Sequence, residues 1–178
     1  IEITDFVRKA SANNNLFFGS RIFIHCQAST GISLLPDPFF FDYFGKKIAL
    51  SHGDMFCVDD TEYQTFKKQV RSPKWKTEFL NKSLIERKSI ASSMRDASKK
   101  NSSQKDLMIM DVNTNEVTSF FDKHGIDLLI HGHTHKPNIH EFDGKNSKLK
   151  RVVLGDWDKT GWCFYLDSTS QNLEEFKI

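Results

Sequence analysis

The clearest patterning in the chain lies at residues 38–54, PFFFDYFGKKIALSHGD. Two apolar runs flank Phe44-Gly45-Lys46, which predicts a hairpin whose second strand, 48–51, runs into His52. Upstream, EITDFVRKASA at 2–12 reads as the end of a helix, and the asparagines at 13–15 break it. The LFFGSRIFIHC stretch that follows is apolar and β-rich, interrupted at Gly19. Further on, VNTNEVTSFFDKHG spaces its apolar residues as one face of a helix and stops at Gly125. IDLLIHGHTH then predicts a buried strand that runs into a loop. SKLKRVVLGDW and GWCFYLD predict two more strands, and a short final one follows.

Between Asp59 and about residue 105 the pattern changes. Lysines and arginines crowd in, and Tyr63, Phe66, Val70, Phe79, Leu80, Leu84, Ile90 and Met94 recur among them at roughly helical spacing. This predicts an inserted helical subdomain that is polar and basic on one side. At 178 residues the chain fits one domain with a real core. The 38% hydrophobic and 27% charged fractions are those of an ordinary soluble globular protein. A net charge of +2 does not call for nucleic acid as a partner. Cys26, Cys57 and Cys163 lie far apart without a C-x-x-C, which points to reduced thiols in a cytosol-like compartment. No apolar run approaches the ~18 residues of a membrane span, and no secretory signal is visible. The chain opens at Ile1, so it reads as a portion of something longer.

Candidate chemistry concentrates where strands stop. In LLIHGHTHKP a buried run ends in His131, His133 and His135, with Gly132 free to turn tightly. His133 and His135, on alternate positions, can face one point, and neutral imidazole ligates Zn²⁺, Mn²⁺ or Fe. The hairpin strand likewise ends in His52-Gly53-Asp54. Two strand ends carrying His-Gly in one small domain suggest a single shared site.

Together these blocks resemble the calcineurin-like metallophosphoesterases, whose two metal ions are held by D-x-H, G-D, G-N-H/R-D/E, a strand-end His and G-H-x-H. His52 matches the fourth block and Gly132 to His135 the fifth. The stretches HGDMFCVDDTEYQTFKKQV, MRDASKKNSSQKDLMIMDVN, LIHGHTHKP and RVVLGDW narrow the resemblance to the UDP-2,3-diacylglucosamine hydrolases of lipid A biosynthesis in Gram-negative bacteria, from about residue 34 onward. The resemblance implies an α/β fold, a metallophosphoesterase-type β-sandwich flanked by helices. A helical cap at about 60–105 is inserted in this single domain of 1–178, an N-terminally truncated copy. The first two metal blocks, which supply carboxylates, have no counterpart. The third has three readings: ANNNLFFG with Asn13 as ligand, FIHCQAS with Cys26 and Gln27 in place of Gly and Asn, or absence.

The family's chemistry is metal-dependent hydrolysis of a pyrophosphate, with two Mn²⁺ expected in a complete site. The resemblance assigns His52 and His133 to one metal and His135 to the other, with His133 also near the substrate phosphate. It further implies contacts to the glucosamine phosphate from Asp60, Ser98, Asn101 and Lys105, with Tyr63, Phe66 and Arg95 toward the acyl chains and cap. The substrate would be UDP-2,3-diacylglucosamine, met by a cytoplasmic protein held peripherally on the cytoplasmic face of the inner membrane. Two other readings stand beside this one. One is a different calcineurin-like phosphodiesterase, which would not explain the match at RDASKKNSSQKDL. The other is a ligand-depleted, non-catalytic module.

Overall fold

A computed structural model describes residues 6–10, 15–19, 35–104, 109–144, 148–157 and 159–178. Two compact units emerge, one from residues up to 55 together with 114 onward, the other from Phe56–Asn113.

The first unit is built on a mixed five-stranded sheet. The expected hairpin is present: β3 (Phe39–Tyr43) pairs antiparallel with β4 (Lys46–Ser51) around Phe44-Gly45, both of which have positive φ. β4 runs parallel to β5 (Leu128–His131), which runs parallel to β7 (Lys148–Val153), and β6 (Asn138–Asp143) closes the edge against β7. A second, antiparallel sheet has the order β1 (Phe6–Ala10), β2 (Asn15–Gly19), β8 (Thr160–Leu166), β9 (Gln171–Lys177).

Alternation along the strands decides which face each side chain meets. Ile48, Leu50, Leu128, Ile130, Val152 and Leu154 from the mixed sheet pack with Phe164 and Leu166 of β8, so the two sheets form a sandwich. The opposite face of the mixed sheet takes α4 (Thr114–His124), through Val117, Phe120 and Phe121 at helical spacing. Phe40 of β3 stacks on Phe120 and His124, and Phe142 of β6 meets Phe121 edge-on. β5 is covered on both sides, which is why all four of its residues are buried and its sequence shows no polar alternation. Gly125, at φ 58°, ends α4 by donating to the Phe121 carbonyl, and the Lys47 ammonium donates to that of His124. The expected α/β class is borne out: a mixed sheet lies between a helix and a second sheet.

One expectation is corrected. Residues 6–10, read as helix, form strand β1, paired in register with β2 from Phe6↔Gly19 to Ala10↔Asn15. The segment is short, and its apolar positions fit either period. The NIHEFD segment forms β6, a largely solvated edge strand whose pairing comes entirely from β7. The final strand is as long as its partner: β9 pairs β8 from Thr160↔Lys177 to Leu166↔Gln171.

The β8–β9 turn is tied by Asp167, which accepts from Thr169 N, Thr169 Oγ1, Ser170 N and Ser170 Oγ. These donors hold its carboxyl down at about 2. The folded value lies below the unfolded one, so the stabilisation is complete above about pH 4 and fades as pH falls toward 2. Asp167→Asn should flatten the acid limb of a stability-against-pH curve measured by urea denaturation. An unchanged limb would place that pH dependence elsewhere.

The second unit contains α1 (Thr61–Val70), α2 (Pro73–Leu80) and α3 (Leu84–Gln104). Asp60 caps α1 by accepting from Tyr63 N, and Ser72 caps α2 by accepting from Trp75 N. Neither α1 nor α2 has a buried residue. Asn113 N donates to the Phe56 carbonyl, and the Asn113 amide to Asp59, so the two ends of the unit meet. No helix among the described residues is long and apolar enough to cross a membrane.

Candidate metal centre

The parallel pair β4–β5 sets the site, because Ser51↔His131 is its last registered pair and both strands run on into His-Gly. At the end of β4, Asp37 accepts from Ser51 Oγ and His52 N, and Ser51 Oγ accepts from Gly53 N. At the end of β5, Gly132 N donates to the His52 carbonyl, which ties the two loops together. The His52 and His133 rings lie with their centroids 4.8 Å apart.

The three histidines of HGHTH have different roles. His131 is fully buried on the helix side of the sheet. Its Nδ1 lies 2.9 Å from the Gly132 carbonyl and its Nε2 3.1 Å from Arg151 Nη1. A carbonyl only accepts and a guanidinium only donates, so the ring is neutral with its proton on Nδ1. Both nitrogens are therefore occupied within the core. His133 and His135 follow in the loop with φ of 65° and 52°, the left-handed region that non-glycine residues seldom adopt.

His52 Nδ1 lies 3.3 Å from Oδ1 of Asp54, a fully buried carboxylate. The contact places a carboxylate beside the imidazole, the kind of neighbour that commonly stands behind a metal-ligating histidine. His135 lies 3.9 Å from Asp156 and is about half exposed. Partial burial pushes its imidazole below the usual range, Asp156 raises it in part, and charge on His52 lowers it further. The neutral ring is the ligating form. Against these features, no group of three or more His, Cys, Asp or Glu side chains among the described residues is arranged to hold a metal ion. What the two strand ends bring together is the His52–His133 ring pair, with Asp54 beside His52.

The other expected site residues are placed as follows. Asp60 is buried, and its carboxylate is committed at least in part to capping α1. Tyr63 is half-buried and Phe66 exposed on α1. Arg95 and Ser98 are exposed on α3 at helical spacing, and Asn101 lies further along that helix. Asn13, Cys26, Gln27 and Lys105 lie outside the described residues. The sequence reading left Asp54 out of the site residues. Its signal was the two-residue step from His52, which becomes legible once the loop turns at Gly53.

Comparison with known proteins bears on the same residues. No protein-family model matches the chain. Over 149 residues it is 41% identical to the UDP-2,3-diacylglucosamine hydrolase of Escherichia coli O1:K1, a match covering 84% of this chain and 60% of that protein. The Escherichia coli K12 protein of that name aligns equally well. The Cellvibrio japonicus protein of that name is 37% identical over 148 residues, which is 83% of this chain and 62% of that one. The chain is a relative of the UDP-2,3-diacylglucosamine hydrolases. It spans about 60% of the length of the relatives it matches. The resemblance read from HGD, GHTH and the segment between them is borne out.

Proposed function

We propose that the protein hydrolyses the pyrophosphate bond of UDP-2,3-diacylglucosamine, releasing UMP and 2,3-diacylglucosamine 1-phosphate for lipid A synthesis. We place it at the cytoplasmic face of the inner membrane. The observation that carries this reading is the convergence of two His-Gly strand ends, with His52 and His133 rings 4.8 Å apart, in a chain related to hydrolases of that name. His52, His133 and His135 would hold divalent cations, Mn²⁺ first among them, with the remaining ligands supplied by residues not described here. Such cations neutralise phosphate charge and make a water nucleophilic near neutral pH.

The chain's own residues then have defined tasks. Asp54 sets a buried negative charge beside His52, and the His131–Gly132 contacts hold the loop from which His133 and His135 project. Ser98 on α3 would offer a hydroxyl to the glucosamine phosphate. Asp54→Asn should weaken Mn²⁺ binding about 10- to 100-fold, the usual effect of removing a partner behind a ligating histidine. Isothermal titration measures it, and an unchanged affinity would detach Asp54 from the site.

The deciding experiment is Mn²⁺-dependent UMP release from UDP-2,3-diacylglucosamine, compared with a UDP-sugar lacking acyl chains. Chelator-sensitive release selective for the acylated substrate supports the reading. Equal turnover of both points instead to a broader phosphodiesterase. The incomplete donor set favours one second reading, a non-catalytic module, for which neither release nor tight metal binding is expected.

A further inference from the structure

The second unit exposes its largest aliphatic side chains at one place. Leu80 closes α2 and is 64% exposed, and Leu84 and Ile85 open α3 at 60% and 82%. Singly exposed leucines are ordinary, but three within six residues on one helix–helix turn are not. The turn is also fixed. Ser83 N and Oγ donate to Glu86 Oε2 at 2.8 and 2.6 Å, and Glu86 N donates back to Ser83 Oγ at 3.3 Å. This reciprocal capping box holds Leu84 and Ile85 outward as the first two residues of the helix.

The charge around the turn is one-sided. The chain as a whole carries only +2, yet residues 67–95 hold nine lysines and arginines against Glu78 and Glu86. Lys76 lies one helical turn behind Leu80, and Lys88 one turn behind Leu84, so each cation shares a face with an exposed aliphatic residue. The sequence reading expected apolar and basic residues on opposite sides. At this turn they lie together, aliphatic tip first and cations about 6 Å behind it.

We infer that the α2–α3 turn is a membrane wedge: Leu80, Leu84 and Ile85 enter the acyl region of an anionic bilayer while Lys76, Lys82 and Lys88 meet its phosphate headgroups. The charge complementarity selects an anionic lipid surface. The preformed turn gives up little conformational freedom on insertion, and three aliphatic side chains with a few cations suit reversible binding. The inference rests on the diacyl-substrate reading for its biological sense, but its test involves no turnover. A failure here therefore leaves hydrolysis standing, and the reverse also holds.

The test is co-sedimentation of the full chain with phosphatidylethanolamine/phosphatidylglycerol vesicles and with neutral phosphatidylcholine vesicles. Binding should favour the anionic vesicles and weaken at 0.5 M salt. Leu80→Ser with Ile85→Ser should lower partitioning at least about tenfold, and Lys76→Gln or Lys88→Gln about fivefold each, with circular dichroism unchanged. Should the serine pair disturb folding, Ile85→Gln offers a second probe that suits the helix and removes the apolar tip without changing the charge. Unaltered binding in these variants overturns the proposal, as does binding indifferent to lipid charge. So does self-association without lipid that the variants abolish, which would make the turn an interface between copies.

Discussion

Replacing His133 with alanine should lower metal-dependent UMP release more than about 100-fold while leaving the fold in place. Loss of a partner standing behind a ligating histidine already costs about 10- to 100-fold, and His133 would be a ligand itself. Its ring lies 4.8 Å from that of His52, in a loop outside both sheets. The left-handed backbone at φ 65° is retained, since alanine replaces one L residue with another. The measurement pairs release by an active preparation with thermal melting. Turnover within threefold of the parent protein would remove His133 from the site. Lost turnover with a collapsed melting temperature would make the residue structural.

Gly53→Ala should be strongly destabilising. The glycine sits at φ 105°, where an L side chain is strained by about 1–3 kcal/mol. An added methyl would also stand 2.6 Å from His131 Nδ1 and 3.0 Å from the Gly132 carbonyl. Overpacking of this kind costs about 1–3 kcal/mol, so the sum is roughly 2–6 kcal/mol. Both atoms it would strike belong to the contact that fixes the neutral His131 ring. The variant should therefore lose urea resistance and displace the HGHTH loop together. A midpoint unchanged within error would mean that the loop gives way freely.

The hairpin at β3–β4, α4 and the strand entering GHTH were legible because each carries its own punctuation: Phe44-Gly45 at the turn, Gly125 at the helix end, an unbroken apolar run in β5. Strand β1 was not. Phe6, Val7 and Ala10 fit a helical or a pleated period, and only the partner β2 decides between them. β6 was missed for a related reason, since Ile139 and Phe142 are separated by polar residues and the strand owes its pairing to β7. In the candidate site, the spacing of His131, His133 and His135 could not rank them. What separates them is Arg151, twenty residues later in sequence, which closes His131 into the core. The cap residue Asp60 carries a similar ambiguity, because an Asp at the start of a helix serves a backbone amide whether or not it meets a ligand.

The insertion point has a consequence for how freely this molecule can be altered. The whole of Phe56–Asn113 lies between two adjacent parallel strands, β4 and β5, whose register is set at Ile48↔Leu128. Parallel neighbours need a long crossover in any case, and the entropy of closing such a loop grows only logarithmically, by about 0.6 kcal/mol per doubling of its length. With its two ends already hydrogen-bonded at Phe56 and Asn113, the unit presents the sandwich with a short effective span. Its length and surface can therefore drift, or be exchanged for another insert, with little penalty to the strands that hold His52 and His133.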